Sequence, residues 1–505
     1  MKFRELTRLE EIGLLEYYAP NGNVQGEADL SSPRYDSRDV RSGDVFFAIR
    51  GFETDGHRYI PQALARGART IVLDDAHAFS NEDAEHAGAT RILVENSRLA
   101  LAVISEEAFG SPSEKLRLIG VTGTNGKTTT TSLIKQLLEQ RGELVGLMGT
   151  VGIQIAGVEI EATHTTPESR DISELLGRMV ASGVTTCVIE VSSHAVVLDR
   201  VAALDFDIAV FTNLTQDHLD FHHTMEEYFL AKQKFFNGLK DTAIAVTNAD
   251  DPYGYRMVER TRANAHTFSI ASDHHSAAGD LFATDLDLSI AGSNFRVQKR
   301  YSDESALIHS GLVGAFNVEN LMSAIGALYF GVEDCSLATI ATLTPSLGPV
   351  RGRFETISLA GGATAIIDYA HTPDALEHVL DTIRQLEPQA RIITVFGCGG
   401  DRDRSKRPLM GQIAAERSDI VIITSDNPRS ESPQEIIDEI FIGIPSISRK
   451  KVEMEMDRSL AINKAVIRAK SGDVILIAGK GHEQYQIIGQ ERHHFDDREE
   501  VLRMR

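Results

Sequence analysis

At residues 116–128 an apolar run, LRLIGVT, passes directly into GTNGKT. The TTTSLIKQLLEQ that follows repeats its apolar positions at helical spacing until Gly142. A strand that turns into a helix through glycines can close backbone N–H groups around phosphates, and the helix N-terminus adds positive dipole. In that setting Gly123, Thr124, Asn125 and Gly126 form the loop, Lys127 neutralises phosphate oxygens and Thr128 ligates magnesium. The match to GxxxxGK[ST] is incomplete, because Val121 holds the first glycine position. An ordinary tight turn is the bland reading; strand before, helix after and an intact GKT argue against it.

Around this feature the chain reads as α/β throughout. Its 505 residues suggest about three domains at ~150 residues each. The first ~110 residues hold short runs, DVFFAI (44–49), TIVLDD (70–75) and RILVE (91–95), between Gly- and Asp-rich turns. GSPSEKLR (110–117) reads as a polar linker. TTCVIEV (185–191), DIAVFTN (207–213) and AIAVTN (243–248) are expected strands of a mostly parallel, covered sheet. A second boundary is expected near TPSLGPVRGRFE (344–355), beyond which TAIIDYA, RIITVFG, DIVIITS and DVILIAG alternate with helical segments. That alternation predicts a Rossmann-like doubly wound domain. The expected division is 1–112, 113–346 and 347–505.

Composition removes several function classes. Acidic residues outnumber basic ones 73 to 51, for a net charge of −22, which repels nucleic acid and anionic membranes. No apolar run approaches the ~18 residues of a membrane span, and the charged MKFRELTRLEEIG start is unlike a signal peptide. Cys187, Cys335 and Cys398 form no CxxC pair, so neither a disulfide framework nor a zinc site is indicated, and a cytoplasmic location is expected. An NKxD-like guanine motif is missing, since Thr247-Asn248-Ala249-Asp250 lacks the lysine, and there is no LSGGQ transporter segment.

The C-terminal strands end in four polar clusters: Asp368-Tyr369-Ala370-His371-Thr372-Pro373, Gly397 to Arg404, Ser425-Asp426-Asn427-Pro428-Arg429, and Gly479-Lys480-Gly481-His482-Glu483. Ligands of doubly wound sheets bind beyond those ends. Mixed arginine and carboxylate groups suit a zwitterion, so an amino-acid-like site beside a nucleotide site is expected. In the central region Glu190 and His218 end apolar strands and would reach a magnesium held by the cradle. Lys232, within YFLAK, reads from its position alone as an exposed helix lysine.

These residues together resemble the Mur ligase family. The motifs are DSR (36–38) with DVFFAIRG, GTNGKTTT, HTTPES (164–169), EVSSHA, FTNLTQDHLDFH, AK (231–232), NADD (248–251), GAFNVENL (314–321), GRFE, DYAHTPDALE, GCGGDRD and GKGHE. The resemblance spans nearly the whole chain, although GxNGKT alone also admits folylpolyglutamate synthases.

The resemblance implies an ATP-dependent amide ligase of peptidoglycan precursor synthesis, built from a UDP-binding α/β domain, a P-loop ATPase-like domain and a Rossmann-like amino-acid domain. ATP would lie on Gly123 to Thr129, with Thr129, Asn317, Arg353 and Asp368 in support. Tyr35, Ser37, Phe52, Glu53 and Thr54 would hold the UDP end of a UDP-muramoyl dipeptide. His164, Thr165, Thr166, Ser192, Leu198 and Arg200 would hold its dipeptide end. Lys232 looks like the family's carbamylated lysine, an anion organising magnesium with Thr128, Glu190 and His218. Asp426-Asn427-Pro428-Arg429 with Glu431 resembles a signature of ligases that add meso-diaminopimelate, where Arg429 and Arg402 would take the distal carboxylate and Gly479 and Glu483 the amino end. The partners implied are small molecules, and a monomer is expected. Two positions depart from the family pattern: Leu198 stands where many members have Gln, and His164 where others have Asn. L-lysine or another diamino acid, a modified dipeptide, and a catalytically silent scaffold remain as alternatives.

Overall fold

The computed structural model describes residues 1–20, 26–51, 54–162, 164–270 and 279–504. They divide into two compact units. The first comprises Met1–Thr284, Val297–Ala306 and Glu319–Ile340, the second Asp285–Arg296, Leu307–Val318 and Ala341–Arg505.

The first unit holds two sheets. Near the N-terminus the strands run in the order Leu14–Tyr18, Thr90–Val94, Thr70–Leu73, Val45–Phe47, Pro33–Arg34; the first is antiparallel and the others are parallel. All three apolar runs expected here are therefore strands. The larger sheet orders Asn264–Ile270, Ile244–Asn248, Ile208–Phe211, Arg117–Thr122, Thr186–Glu190 and Val145–Gly149 in parallel. Strand Arg117–Thr122 continues through helix Lys127–Gln140 to Val145–Gly149, two places away, and Thr186–Glu190 fills the gap. The chain then crosses to Ile208–Phe211 on the other side of Arg117–Thr122. The direction of winding reverses there, so the carboxyl end of Arg117–Thr122 is the switch point where doubly wound sheets leave a crevice.

The polar segment at 110–117, expected as a linker, is ordered by a buried acid. Residues Pro112–Lys115 form a 3-10 turn in which Pro112 and Ser113 are buried. The carboxylate of Glu106, only 1% exposed, accepts from Ser113 N and from Ser173 Oγ, each at 2.8 Å. One buried acid thus satisfies polar groups of the turn.

The second unit orders its sheet as Glu355–Ser358, Thr364–Asp368, Val474–Ala478, Ile392–Phe396, Ile420–Ile423, Val452–Met454, all parallel except the first. Helices Pro373–Leu386, Lys406–Arg417 and Pro433–Ile442 bury one face, and Arg458–Arg468 and Asp497–Arg503 bury the other. Pairing sets Asp368 and Phe396 each against Ala478, and Phe396 against Ile423, so the four carboxyl ends lie level. The four polar clusters thus share one sheet edge, as expected.

A fully buried ion pair anchors that edge. Arg458 forks Asp497 through two 2.7 Å hydrogen bonds, and both side chains have 0% exposure. The same guanidinium donates to Ser425 O at 3.4 Å and Ala478 O at 3.1 Å, immediately before Asp426 and Gly479. Removing one partner of such a pair strands a buried charge, at about 3–5 kcal/mol. Asp497→Ala should lose about that much stability in denaturant titration. A loss below about 1 kcal/mol would show that water or another group compensates Arg458.

Candidate active site

At the switch point the cradle is backed by the end of strand Ile208–Phe211. Thr124 N donates to Asn213 O at 2.8 Å, Asn125 N to Asn213 Oδ1 at 2.9 Å, and Thr212 Oγ1 to Asn125 O at 2.6 Å. A side chain at Gly123 would overlap Thr212 Oγ1. Gly126 has φ +84°, and a Cβ there would overlap Asn320 Oδ1. Lys127 Nζ donates to Gly123 O at 2.8 Å and to Thr124 O at 2.7 Å, so its side chain curls back over the loop. Thr128 and Thr129 are buried in the first turn of Lys127–Gln140.

Glu190 is completely buried at the end of the adjacent strand. Its Oε2 accepts from Thr128 Oγ1 at 3.1 Å and Thr150 Oγ1 at 3.0 Å, and its Oε1 from Thr150 N at 2.9 Å. Three neutral donors hold a buried carboxylate, a setting that a bound cation improves. Thr150 Oγ1 also lies 3.1 Å from Thr165 Oγ1. Thr166 Oγ1 donates to Glu190 O at 2.6 Å and accepts from Ser192 N at 3.1 Å. Arg200 donates to Thr166 O at 2.9 Å and pairs with Glu168 at 2.7 Å. Hydrogen bonds therefore link Thr128, Glu190, Thr165, Thr166, Ser192 and Arg200 into one network. His164 is exposed and Leu198 half-buried.

Lys232 overturns the reading from its position alone. It is 1% exposed, on the inward face of helix Met225–Asn237. Its Nζ donates to Gly123 O at 2.9 Å and lies 4.7 Å from the Tyr228 ring centre. Helical spacing puts it on the same side as the buried Tyr228, Phe229, Phe235 and Phe236, a stripe that was legible in the sequence. Burial, reinforced by Lys127, pushes its pKa well below that of an ordinary lysine. Around it, His218 lies 4.9 Å from His194 and 6.2 Å from Tyr228, ring centre to ring centre. Burial lowers the pKa of both histidines, and that of His222 falls to about 4. Among the described residues, no three His, Cys, Asp or Glu side chains converge as a metal site. A set using Glu190, His218, Thr128 and an altered Lys232 is not such a trio.

In the N-terminal sheet region Ser37 is buried and donates to Gln62 Oε1 at 2.8 Å, and Tyr35 Oη donates to Asp171 at 2.6 Å. Thr54 is exposed, while Phe52 and Glu53 lie outside the described residues. Asn317 belongs to the second unit, where its amide donates to Val313 O at 2.9 Å. Asn320, a turn further along helix Ala315–Gly331, is the residue that meets Gly126; the GAFNVENL motif contained it without singling it out.

In the second unit the Asp368 carboxylate accepts from Phe354 N at 2.7 Å and Ala370 N at 2.8 Å. Burial raises its pKa and Arg353 opposes the rise. Arg353 lies 5.0 Å from the centre of the Tyr369 ring. Asp426, Asn427 and Pro428 are buried. Glu483 Oε2 accepts from Asn427 Nδ2 at 2.8 Å and from Lys480 Nζ at 3.1 Å. A Cβ on Gly479 would stand 2.8 Å from Asp426 Oδ2. A Cβ on Gly399 would stand 3.0 Å from Arg429 Nη1 and 3.7 Å from Arg402 Cγ, so the two arginines flank one glycine. Sequence reasoning missed Lys480 and Arg407 as working residues, although both have 0% side-chain exposure. For Lys480 the signal was a cation inside a glycine-rich cluster; Arg407, within helix Lys406–Arg417, had none.

A switch-point phosphate cradle beside a buried carboxylate, together with a doubly wound second unit, defines an α/β nucleotide-binding enzyme. The chain belongs to the Mur ligase family. Residues 32–108 match the Mur ligase family catalytic domain, 121–328 the Mur ligase middle domain and 352–481 the Mur ligase glutamate ligase domain. It is 44% identical over 503 residues, 99% of this chain and 98% of the other, to a UDP-N-acetylmuramoyl-L-alanyl-D-glutamate--2,6-diaminopimelate ligase of Clostridium tetani. It is 43% identical to the ligase of that name from Geobacillus kaustophilus, covering 94% of each chain. A solved structure with that title superposes with a TM-score of 0.71 at 33% identity, covering 100% of this chain and 98% of the other.

The cradle makes a paired prediction. Gly126 and Gly142 both have positive φ, but nothing lies within 4 Å of a Cβ at Gly142. Alanine at Gly142 should cost about 1–2 kcal/mol of stability from left-handed backbone strain, and alanine at Gly126 more, since its Cβ also displaces Asn320. Only Gly126→Ala should also weaken ADP binding, by tenfold or more in calorimetry. Equal affinities in the two variants would remove the Gly126–Asn320 approach from nucleotide binding.

Proposed function

We propose that the chain joins an amine of meso-diaminopimelate to the D-glutamate γ-carboxylate of UDP-MurNAc-L-Ala-D-Glu, with cleavage of ATP to ADP and phosphate. The observation that carries this reading is the paired placement of Arg402 and Arg429 about Gly399, at a sheet edge that also bears Asn427 and Glu483. The relatives named for the same reaction support it. We assign 1–112 to the UDP end, 113–346 to ATP and 347–505 to the amino acid, acting as a monomer in the cytoplasm, where ATP and UDP-linked precursors occur.

The chemistry follows from the residues. Lys127 would leave the cradle carbonyls for phosphate oxygens as the γ-phosphoryl moves to the substrate carboxylate. The resulting acyl phosphate is attacked by the amine, and phosphate departs from the tetrahedral intermediate. Thr165, Thr166, Ser192 and Arg200 would orient the dipeptide, and Asn317, Arg353 and Asp368 would support the nucleotide. Magnesium would be held by Thr128, Glu190, His218 and a carbamylated Lys232, where it would neutralise phosphate charge. Carbamylation requires a neutral amine, and the depressed pKa of Lys232 supplies one. Exclusion of water would protect the acyl phosphate.

Two measurements test this. Labelled bicarbonate should give a carbamate NMR signal in the native enzyme that Lys232→Ala lacks, and short carboxylates should partly restore activity to that variant. Neither signal nor rescue would leave Lys232 as a plain buried amine. Diaminopimelate and L-lysine differ by one distal carboxylate, and losing a buried bidentate contact to it costs about 2–5 kcal/mol. The native enzyme should therefore use lysine very poorly. Arg429→Ala should lower kcat/KM far more for diaminopimelate than for lysine. Equal fold-losses, or a native preference for lysine, would take that role from Arg429.

A further inference from the structure

We infer that Arg407 and Glu431 are positioning residues, which clamp the loops bearing Arg402 and Arg429 into a preformed receptor for the acidic end of the incoming amino acid. The inference rests on the proposed use of diaminopimelate and adds how its selectivity is held.

Arg407 has no exposed side-chain area, yet its guanidinium reaches out of helix Lys406–Arg417 to a loop. Its Nη1 and Nη2 donate to the two carboxylate oxygens of Glu431, each at 2.9 Å. Nη1 also meets Glu439 at 2.8 Å and Nη2 meets Gly399 O at 3.2 Å. Glu431 Oε1 accepts from Asp401 N at 2.6 Å. Both oxygens of Glu431 are thus engaged within the protein, which makes it a strut between loops rather than a group aimed at substrate. Its carboxyl pKa is held down at about 2, mainly by the Arg407 hydrogen bonds.

The two loops are joined again on either side of this fork. Gly400 N donates to Asn427 O at 2.9 Å and Arg429 Nη1 to Gly400 O at 2.7 Å. Ser430 Oγ donates to Asp401 Oδ1 at 2.6 Å. Each loop also holds one non-glycine residue in the left-handed region, Asp401 at φ +53° and Arg429 at φ +51°. Such backbone persists only where surrounding contacts over-determine it. The result is one body that carries both arginines past Gly399. Loops already ordered have less entropy to lose on binding, and the Arg429 side chain is itself held by Gly400 O.

The test uses the full-length enzyme and three variants. Glu431→Gln keeps the shape but loses the charge and one acceptor. Ser430→Ala removes a single strut at an exposed site that cannot threaten folding. The third is the double variant Glu431→Gln with Arg429→Ala. KM for meso-diaminopimelate should rise tenfold or more in Glu431→Gln, and by a smaller factor in Ser430→Ala. KM for ATP and for the UDP-muramoyl dipeptide should stay within about twofold. The preference for diaminopimelate over lysine should fall by the same factor as the diaminopimelate KM rises. The double variant should lose less than the two single losses combined, because Glu431 acts in part through the loop that bears Arg429. Equal losses for all three substrates, or additive losses in the double variant, would reduce the clamp to a general structural role and overturn the inference. An unchanged diaminopimelate KM in both single variants would also overturn it. A wild-type enzyme that turns over lysine and not diaminopimelate would overturn the functional reading itself, and the inference with it.

Discussion

Two amines converge on one carbonyl oxygen in this protein. Lys127 and Lys232 both donate to Gly123 O, at 2.8 and 2.9 Å. Lys127 is partly exposed at the head of a helix and Lys232 is 1% exposed. Burial, with the charge of Lys127 adding to it, pushes the pKa of Lys232 well below that of an ordinary lysine. The two amines meet because strand Arg117–Thr122 ends just before Gly123, at the switch point of the sheet, where the helix bearing Lys232 also packs. The fold therefore leaves one lysine half-open at the cradle and closes the other inside it.

Much of the fold was legible before any coordinates. The parallel strands read as continuous apolar runs because both faces are covered, and turns interrupt them where the chain reverses. The cradle was legible because its glycines answer to close approaches that no side chain tolerates, at Thr212 for Gly123 and at Asn320 for Gly126. What could not be read was which charged residues lie inside. Arg407 and Arg458 look like solvated cations in a string of letters, and both are among the most deeply buried side chains. Their partners come from 24 residues away, Glu431 for Arg407, and 39, Asp497 for Arg458. No local pattern encodes such a separation. The acid that orders the polar turn at 110–117, Glu106, likewise belongs to a different element, the preceding helix.

Buried cations also explain how the strand-end loops of the second unit can be polar and rigid together. A loop rich in glycine and aspartate would ordinarily be solvated and mobile. Here Arg458 holds the backbone carbonyls just before two of the loops, Lys480 ties Asn427 to Glu483, and Arg407 ties Gly399 to Glu431. Each cation spans two loops that come from different strands. The parallel register brings those strand ends level, and the cations convert that alignment into a shared rigid surface.

This arrangement bears on how selectivity among amino acids arises. A pocket of flexible arginines would attract any carboxylate and gain little discrimination, because ordering the side chains would consume much of the contact energy. On the proposed reading, an arginine held as Arg429 is would reject a ligand that leaves it unmatched, since the unpaired guanidinium cannot relax away at low cost. Discrimination would then depend also on the loop contacts of Arg407 and Glu431. A change of preferred amino acid would require loosening the strut as well as replacing the arginine, which makes the selectivity of such a site a property of the loop pair and not of one side chain.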